Sequence, residues 1–160
     1  MTLFNFNTES NISNWKIVND TVMGGVSNAS IHKRDTQTGV FKGDVSLKNN
    51  GGFAMVQYKF DPIMVVTFTK TIIKLKGDGK TYQFRIKTHV NDKHAYIFPF
   101  KTSGDWETIT IPFSMMYPAF RGKKLDIENY PGKQMALIAF LIGNKKEEAF
   151  KLEIDSIELV

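Results

Sequence analysis

The sequence predicts an all-β fold, an antiparallel β-sandwich of jelly-roll type, and three observations carry that prediction. Apolar and polar residues alternate with period two over much of the chain, the mark of strands with one covered face. Turns bearing Gly, Asn and Asp break the alternation every ~8–12 residues, a spacing suited to short strands in a sandwich. No window of about 12 residues shows the apolar stripe of an amphipathic helix.

Taken in order, Phe41, Gly43, Val45 and Leu47 share one parity, with Lys42, Asp44, Ser46 and Lys48 on the other, which predicts a strand. The stretch from Asp61 to Thr69 has room for one helical turn. Ile73 and Leu75 then alternate with Lys74 and Lys76 as far as Gly77-Asp78-Gly79, a tight turn calling for positive φ. Beyond it Tyr82, Phe84 and Ile86 face one way and Gln83, Arg85 and Lys87 the other. Trp106 to Ile111 is β-rich and is stopped by Pro112, and Ser114 to Phe120 has room for a second helical turn. Met135 to Ile142 is apolar at nearly every position, as in a strand covered on both faces. Phe150, Leu152 and Ile154 have one parity and Ile157 and Leu159 the other. A β-bulge at Asp155-Ser156 turns both sets to the core.

A chain of 160 residues has room for one core, so residues 1–160 are read as a single domain. Absence of cysteine excludes disulfides, thiol catalysis and Cys-ligated metals. Thirteen Phe against two Trp and five Tyr is aromatic mass mostly without a polar handle, suited to filling a sandwich at Phe41, Phe84, Phe113 and Phe150. The N-terminal residues lack a basic segment followed by an apolar run. The longest apolar run, Met135 to Ile142, is far short of the roughly 18–20 residues that span a bilayer. A cytoplasmic protein without membrane insertion is expected. The net charge of +5 comes from lysines spread along strand faces. No signature of an RNA- or DNA-binding module accompanies it, so nucleic acid is not an expected partner.

Catalytic patterns fail on their details. Gly79-Lys80-Thr81 ends like a P-loop, but Lys74 stands where that pattern requires Gly, and a strand follows instead of a helix. Gly25-Val26-Ser27-Asn28-Ala29 is a nucleophile elbow with Ala in place of its second Gly. His32, His89 and His94 fit no zinc spacing. No catalytic residue or resident cofactor is therefore expected. Asp20 and Asp78, each in a Gly-bearing loop, either bond the local backbone or serve a ligand or cation. Together with Asp155 they are the residues to which a structural calcium would be assigned. The outward set Arg85, Lys87 and His89 is positioned to line a groove for an anion.

Trp15, the string Asn19-Asp20-Thr21-Val22-Met23-Gly24-Gly25-Val26-Ser27, Phe41-Lys42-Gly43 and Gly51-Gly52-Phe53-Ala54 form an ordered series. It continues through Gly77-Asp78-Gly79-Lys80-Thr81-Tyr82, Trp106 to Ile111-Pro112-Phe113, and Phe120-Arg121-Gly122. The series resembles the complex I intermediate-associated protein 30 family, over nearly the whole chain from Trp15 onward. The resemblance implies a galactose-binding-like β-sandwich. It also implies a chaperone-like role in assembling respiratory complex I, as in the mitochondrial members, on a fold shared with carbohydrate-binding modules. It carries over no catalytic residue. On the matched residues, Gly24-Gly25 lets the chain turn sharply while Asp20 and Ser27 satisfy amides around the turn. Trp15, Tyr82 and Trp106 suit either the rim of a binding face or a core site with a satisfied polar tip. Arg121 either anchors its loop to Asp78 or Asp20 or touches a ligand. These seven residues are the candidate site of a non-enzymatic domain. Its expected partner is a protein, such as a respiratory-complex subunit, with carbohydrate as the alternative.

Overall fold

The computed structural model describes residues 1–7, 11–35 and 37–160. Its strands are β1 (Thr2–Asn5), β2 (Trp15–Ile17), β3 (Asn28–Arg34), β4 (Thr38–Val45), β5 (Ala54–Met64), β6 (Lys70–Lys76) and β7 (Thr81–Lys87). They continue as β8 (Ala95–Lys101), β9 (Trp106–Pro112), β10 (Tyr117–Phe120), β11 (Lys123–Lys124), β12 (Gln134–Ile142) and β13 (Glu148–Leu159). Every pairing between them is antiparallel. One sheet runs β3-β4-β13-β6-β9, with β1 also on β13, and the other runs β11-β10-β8-β7-β12-β5-β2. The all-β sandwich predicted from alternation is what the chain forms.

The core lies between the sheets and is filled by the predicted parities. Phe41, Phe84, Phe113 and Phe150 are all buried in it, as are Ile73, Leu75, Ile138 and Phe140. The register of β13 against β6 slips between Ile154 and Ser156, so Leu152, Ile154, Ile157 and Leu159 all point inward. That is the bulge the parity switch requires. The extra length of β13 also lets β4 pair with Glu148–Ile154 and β1 with residues 156–158 along the same edge.

Two local expectations are corrected. Asp61 does not start a helical turn: β5 continues through Pro62 to Met64. Its register against β12 slips between the Lys59–Leu137 and Ile63–Met135 pairs, so Pro62, lacking an N–H, falls in a bulge where no ladder bond is lost. Ser114 does lie in a short helical turn, Phe113–Met115, but the chain returns to strand at Tyr117.

Candidate ligand-binding cleft

The two faces of β12 explain why it reads as apolar throughout. Ile138, Phe140 and Ile142 enter the core, while Leu137, Ala139 and Leu141 point to the other side of the sheet, which no second layer covers. There they form the floor of an open cleft of about 720 Å³. Met55 and Gln57 of β5, Gln83 and Arg85 of β7, and Ala95 and Ile97 of β8 extend that floor. Its volume falls within the range of about 300–1,000 Å³ typical of ligand clefts.

Two loops wall the cleft, and each has a local reason for its shape. The β10–β11 connection is a two-residue hairpin, since Phe120 pairs with Lys123, and its residues Arg121 and Gly122 have φ of 50° and 79°. Positive φ at both positions is the type I′ requirement. Gly122 meets it freely, whereas Arg121 is a bulky residue in the left-handed region, with its guanidinium 5.2 Å from the Phe120 ring centroid. Phe120, Arg121 and Gly122 all line the cleft.

The opposite wall, formed by Leu47 and residues 50–53, is held by Asp20. This carboxylate is 1% exposed. It accepts the Ser27 hydroxyl at 2.6 Å and the Ser27 amide at 3.1 Å, then the Gly52 and Phe53 amides at 2.7 and 3.3 Å. Ser27 in turn accepts the Ser46 amide at 2.8 Å, and Asn19 accepts the Met55 amide at 3.1 Å. Burial by itself would raise the Asp20 pKa, but the bonds from Ser27, Gly52 and Phe53 outweigh it and hold the carboxyl below its ordinary value. The glycines around it follow from this packing: a Cβ on Gly25 would collide with the Asp20 side chain, and one on Gly51 would lie 2.5 Å from Asp20 Oδ2.

Charge in the cleft is one-sided. Arg85, Lys87, Lys93, Arg121 and Lys145 line it, and no Asp or Glu does. Burial lowers the Arg85 pKa, an effect partly offset by the nearby Tyr117. Burial also lowers that of Lys87, with repulsion from Arg85 adding to it. The Lys87 ammonium donates to the Asp92 carbonyl at 2.7 Å, and among the described residues Arg85 has no carboxylate partner. The buried Oε1 of Gln83 accepts no hydrogen bond from the described residues.

The residues singled out from sequence fall in different places. Asp20 and Ser27 meet in the buried cluster just described. Asp78 and Tyr82 also meet: the Tyr82 hydroxyl donates to Asp78 at 3.0 Å, and the same carboxylate accepts the Lys80 and Lys151 amides at 3.3 and 2.9 Å. Tyr82 is 0% exposed, and its pKa is raised by burial and then by the Asp78 charge. Trp15 is 3% exposed, stacked 5.0 Å from Tyr58, and its indole N–H finds no partner among the described residues. Of the two alternatives, these two rings take the core, because the sandwich closes over them. Trp106, 43% exposed, lies on the other sheet beside the Lys74–Asp155 ion pair. Only Arg121 of the seven reaches the cleft, and it pairs with neither Asp78 nor Asp20. From the anion-groove set, Arg85 and Lys87 line the cleft, while His89 sits at the strand end against Gln134. Asp20, Asp78 and Asp155 do not converge, and no three acidic or His side chains group into a cation site among the described residues.

Arg85 was legible as an outward residue placed to line a groove, whereas the floor that β12 lays beneath it was not. The missed signal was the apolar run of β12 itself, once no helix or third layer is available to cover its second face.

The chain is a two-sheet jelly roll with an open cleft on one sheet. Solved structures with this architecture include the family 11 carbohydrate-binding module of the cellulosomal cellulase Lic26A-Cel5E of Clostridium thermocellum. It is 18% identical, with a TM-score of 0.74, covering 100% of this chain and 93% of that one. The family 11 module of the same organism in complex with a β-1,3-1,4-mixed-linked tetrasaccharide is also 18% identical, at a TM-score of 0.72, covering 99% and 94%. A family 29 carbohydrate-binding module is 6% identical at 0.58, covering 99% and 86%. The chain itself belongs to the complex I intermediate-associated protein 30 family, whose model matches residues 4–154.

Proposed function

We propose that this domain is a non-enzymatic binding module that seats an extended segment of a protein partner across the cleft, as an assembly factor would. The observation that carries this reading is the composition of the lining. Its floor is aliphatic, with Met55, Ile97, Leu137 and Leu141, its aromatic members Phe53 and Phe120 stand in the walls, and no Trp or Tyr lines it among the described residues. Sugar rings are held by broad aromatic faces; aliphatic side chains of a peptide are held by surfaces such as this floor. Among its described residues the lining has no Asp, Glu, His, Ser or Cys, which leaves lysine as the side chain able to act as base or nucleophile. Strands β10 and β5, which bring the two walls, are four strand spacings apart, roughly 19 Å. An extended peptide of about six residues bridges that distance. Membership of an assembly-factor family supports the same class of partner.

A saccharide is the second reading, favoured by the fold shared with carbohydrate-binding modules and by the carboxamides of Asn50, Gln57 and Gln83 along the cleft. Selection of displayed random twelve-residue peptides, run beside a glycan array, tests the two. The expected result is peptides whose binding moves backbone NMR signals of β5, β7, β8 and β12. Glycans shifting those signals, with no peptide enriched, would establish the second reading and remove the first.

A further inference from the structure

The lining of the cleft is cationic, with no Asp or Glu among its described residues, and Asp92 outside it offsets part of the repulsion on Lys87. Arg85 and Lys87 sit two residues apart on β7 and therefore project from the same face, where like charges repel. Lys59 of β5 adds to that repulsion, while Lys93, Arg121 and Lys145 ring the opening. The outer face of the other sheet has the opposite habit: Arg34 and Lys151 both meet Glu153, at 3.1 and 3.5 Å, and Lys74 meets Asp155 at 3.7 Å. Arg34, Lys74 and Lys151 of that sheet meet carboxylates, whereas Arg85 in the cleft has no carboxylate partner among the described residues.

Two further observations point the same way. Arg121 is held at a φ of 50° in a hairpin position where Asn, Asp or Gly would be relaxed, and strain of this kind collects where a side chain contacts a ligand. The buried Gln83 Oε1 lacks a donor among the described residues, and it lines the cleft beside Arg85. A backbone N–H of an extended peptide is a donor of the right kind.

We infer that the segment taken by the cleft is an acidic one: a stretch of polypeptide in which Asp or Glu carboxylates meet Arg85, Lys87 and Arg121 while interleaved apolar side chains rest on Leu137, Leu141 and Ile97. This rests on the peptide-binding reading above and specifies its chemistry. Guanidinium–carboxylate pairs at a half-buried arginine are the strongest contacts such a cleft offers, and they fix the direction of the segment by bidentate geometry. An extended chain turns every second side chain toward the cleft, so the acidic and apolar residues that touch it are expected two apart along the segment.

The test uses the full chain and the same displayed library. The expected pool is at least threefold richer in Asp and Glu than the library, with apolar residues between them. A synthetic peptide from that pool is expected to lose at least tenfold in affinity when its carboxylates are replaced by amides. A comparable loss is expected when Arg85→Gln is made in the protein. Should Arg85→Gln fail to fold, the exposed Arg121→Gln is expected to cost threefold or more. The double substitution Lys16→Gln, Lys42→Gln, on exposed positions outside the cleft lining, removes two charges where Arg85→Gln removes one, and is still expected to change affinity less than twofold. Enrichment of neutral or basic peptides that still occupy the cleft would overturn the acidic inference and leave the peptide-binding reading standing. An equal loss from the distant double substitution would overturn it too, by reducing the effect to net charge. An oligogalacturonide occupying the cleft when no peptide does, or no ligand of either kind, overturns both.

Discussion

The two sheets use the charged side chains of their outer faces differently. On the six-stranded sheet, Glu153 is buried beneath Arg34 and Lys151, and the Thr38 hydroxyl also reaches its carboxylate. Arg34, Lys74 and Lys151 of that face spend their charge on its anions. On the seven-stranded sheet the same alternation exposes Gln83, Arg85 and Lys87 over an aliphatic floor without a carboxylate. The difference shows that a net charge of +5 is less informative than where the compensating acids are placed.

The comparison is broken most severely at Asp20, where the paired habit of the fold reaches the cleft wall. Asp20→Ala is expected to cost about 3–5 kcal/mol, since each buried donor left unpaired costs ~1–3 kcal/mol and water recovers part of the sum. Urea unfolding measures this, and a loss under 1 kcal/mol would mean that the wall does not depend on the carboxylate. The sign of the acid response follows from the lowered pKa. The charge of Asp20 contributes stability in full above its ordinary value of 3.8, and the contribution is lost as pH falls through the lower folded value. Asp20→Asn, which cannot titrate, is expected to be less stable at neutral pH and to show a shallower acid slope.

A direct contrast comes next. Glu153→Gln is expected to lower stability by about 1 kcal/mol, the upper part of the range for half-exposed pairs. Arg85→Gln, which removes a half-buried charge with no carboxylate partner, is expected to leave stability unchanged or raise it slightly. If both substitutions destabilise alike, the two faces are not different in kind. Arg121→Asn sharpens the picture further: relief of positive φ is expected to raise stability by about 0.5 kcal/mol while weakening the ligand, a trade visible only by measuring both. The smallest effect is spectroscopic. Trp106 fluorescence is expected to be quenched by iodide and that of Trp15 protected, which Trp106→Phe resolves by leaving a single blue-shifted, unquenched emission.

Much of the fold was legible because it is local. Alternation in β6 and β7, the positive-φ turn between them, and the β13 bulge are each written in adjacent residues. Asp20 and Ser27 were legible as partners of turn amides, although the amides they serve at Ser46, Gly52 and Phe53 lie far along the chain. The burial of Trp15 was not legible, since β2 has only three residues and offers no periodicity to show which face is covered. Tyr82 carried an ambiguity that only its hydroxyl settled, by finding Asp78 inside the same turn. The cleft was the least legible feature. It is assembled from four strands and two walls, and of those four strands β7 and β8 alone are neighbours in both the sheet and the chain.

That scrambled order has its sharpest form in β13. Strands β4 and β6 have no partner between them until Glu148–Leu159 arrives, and β1 waits for the same segment, with Thr2 finally facing Glu158. During synthesis, the β3–β4 and β6–β9 pairs of the six-stranded sheet therefore keep open edges until Glu148–Leu159 has emerged. A message cut short before Glu148 yields a chain with adhesive strand edges instead of a weakened domain. Such a chain is a substrate for holdases and proteases, and the interval before β13 docks is when this protein most needs a chaperone of its own.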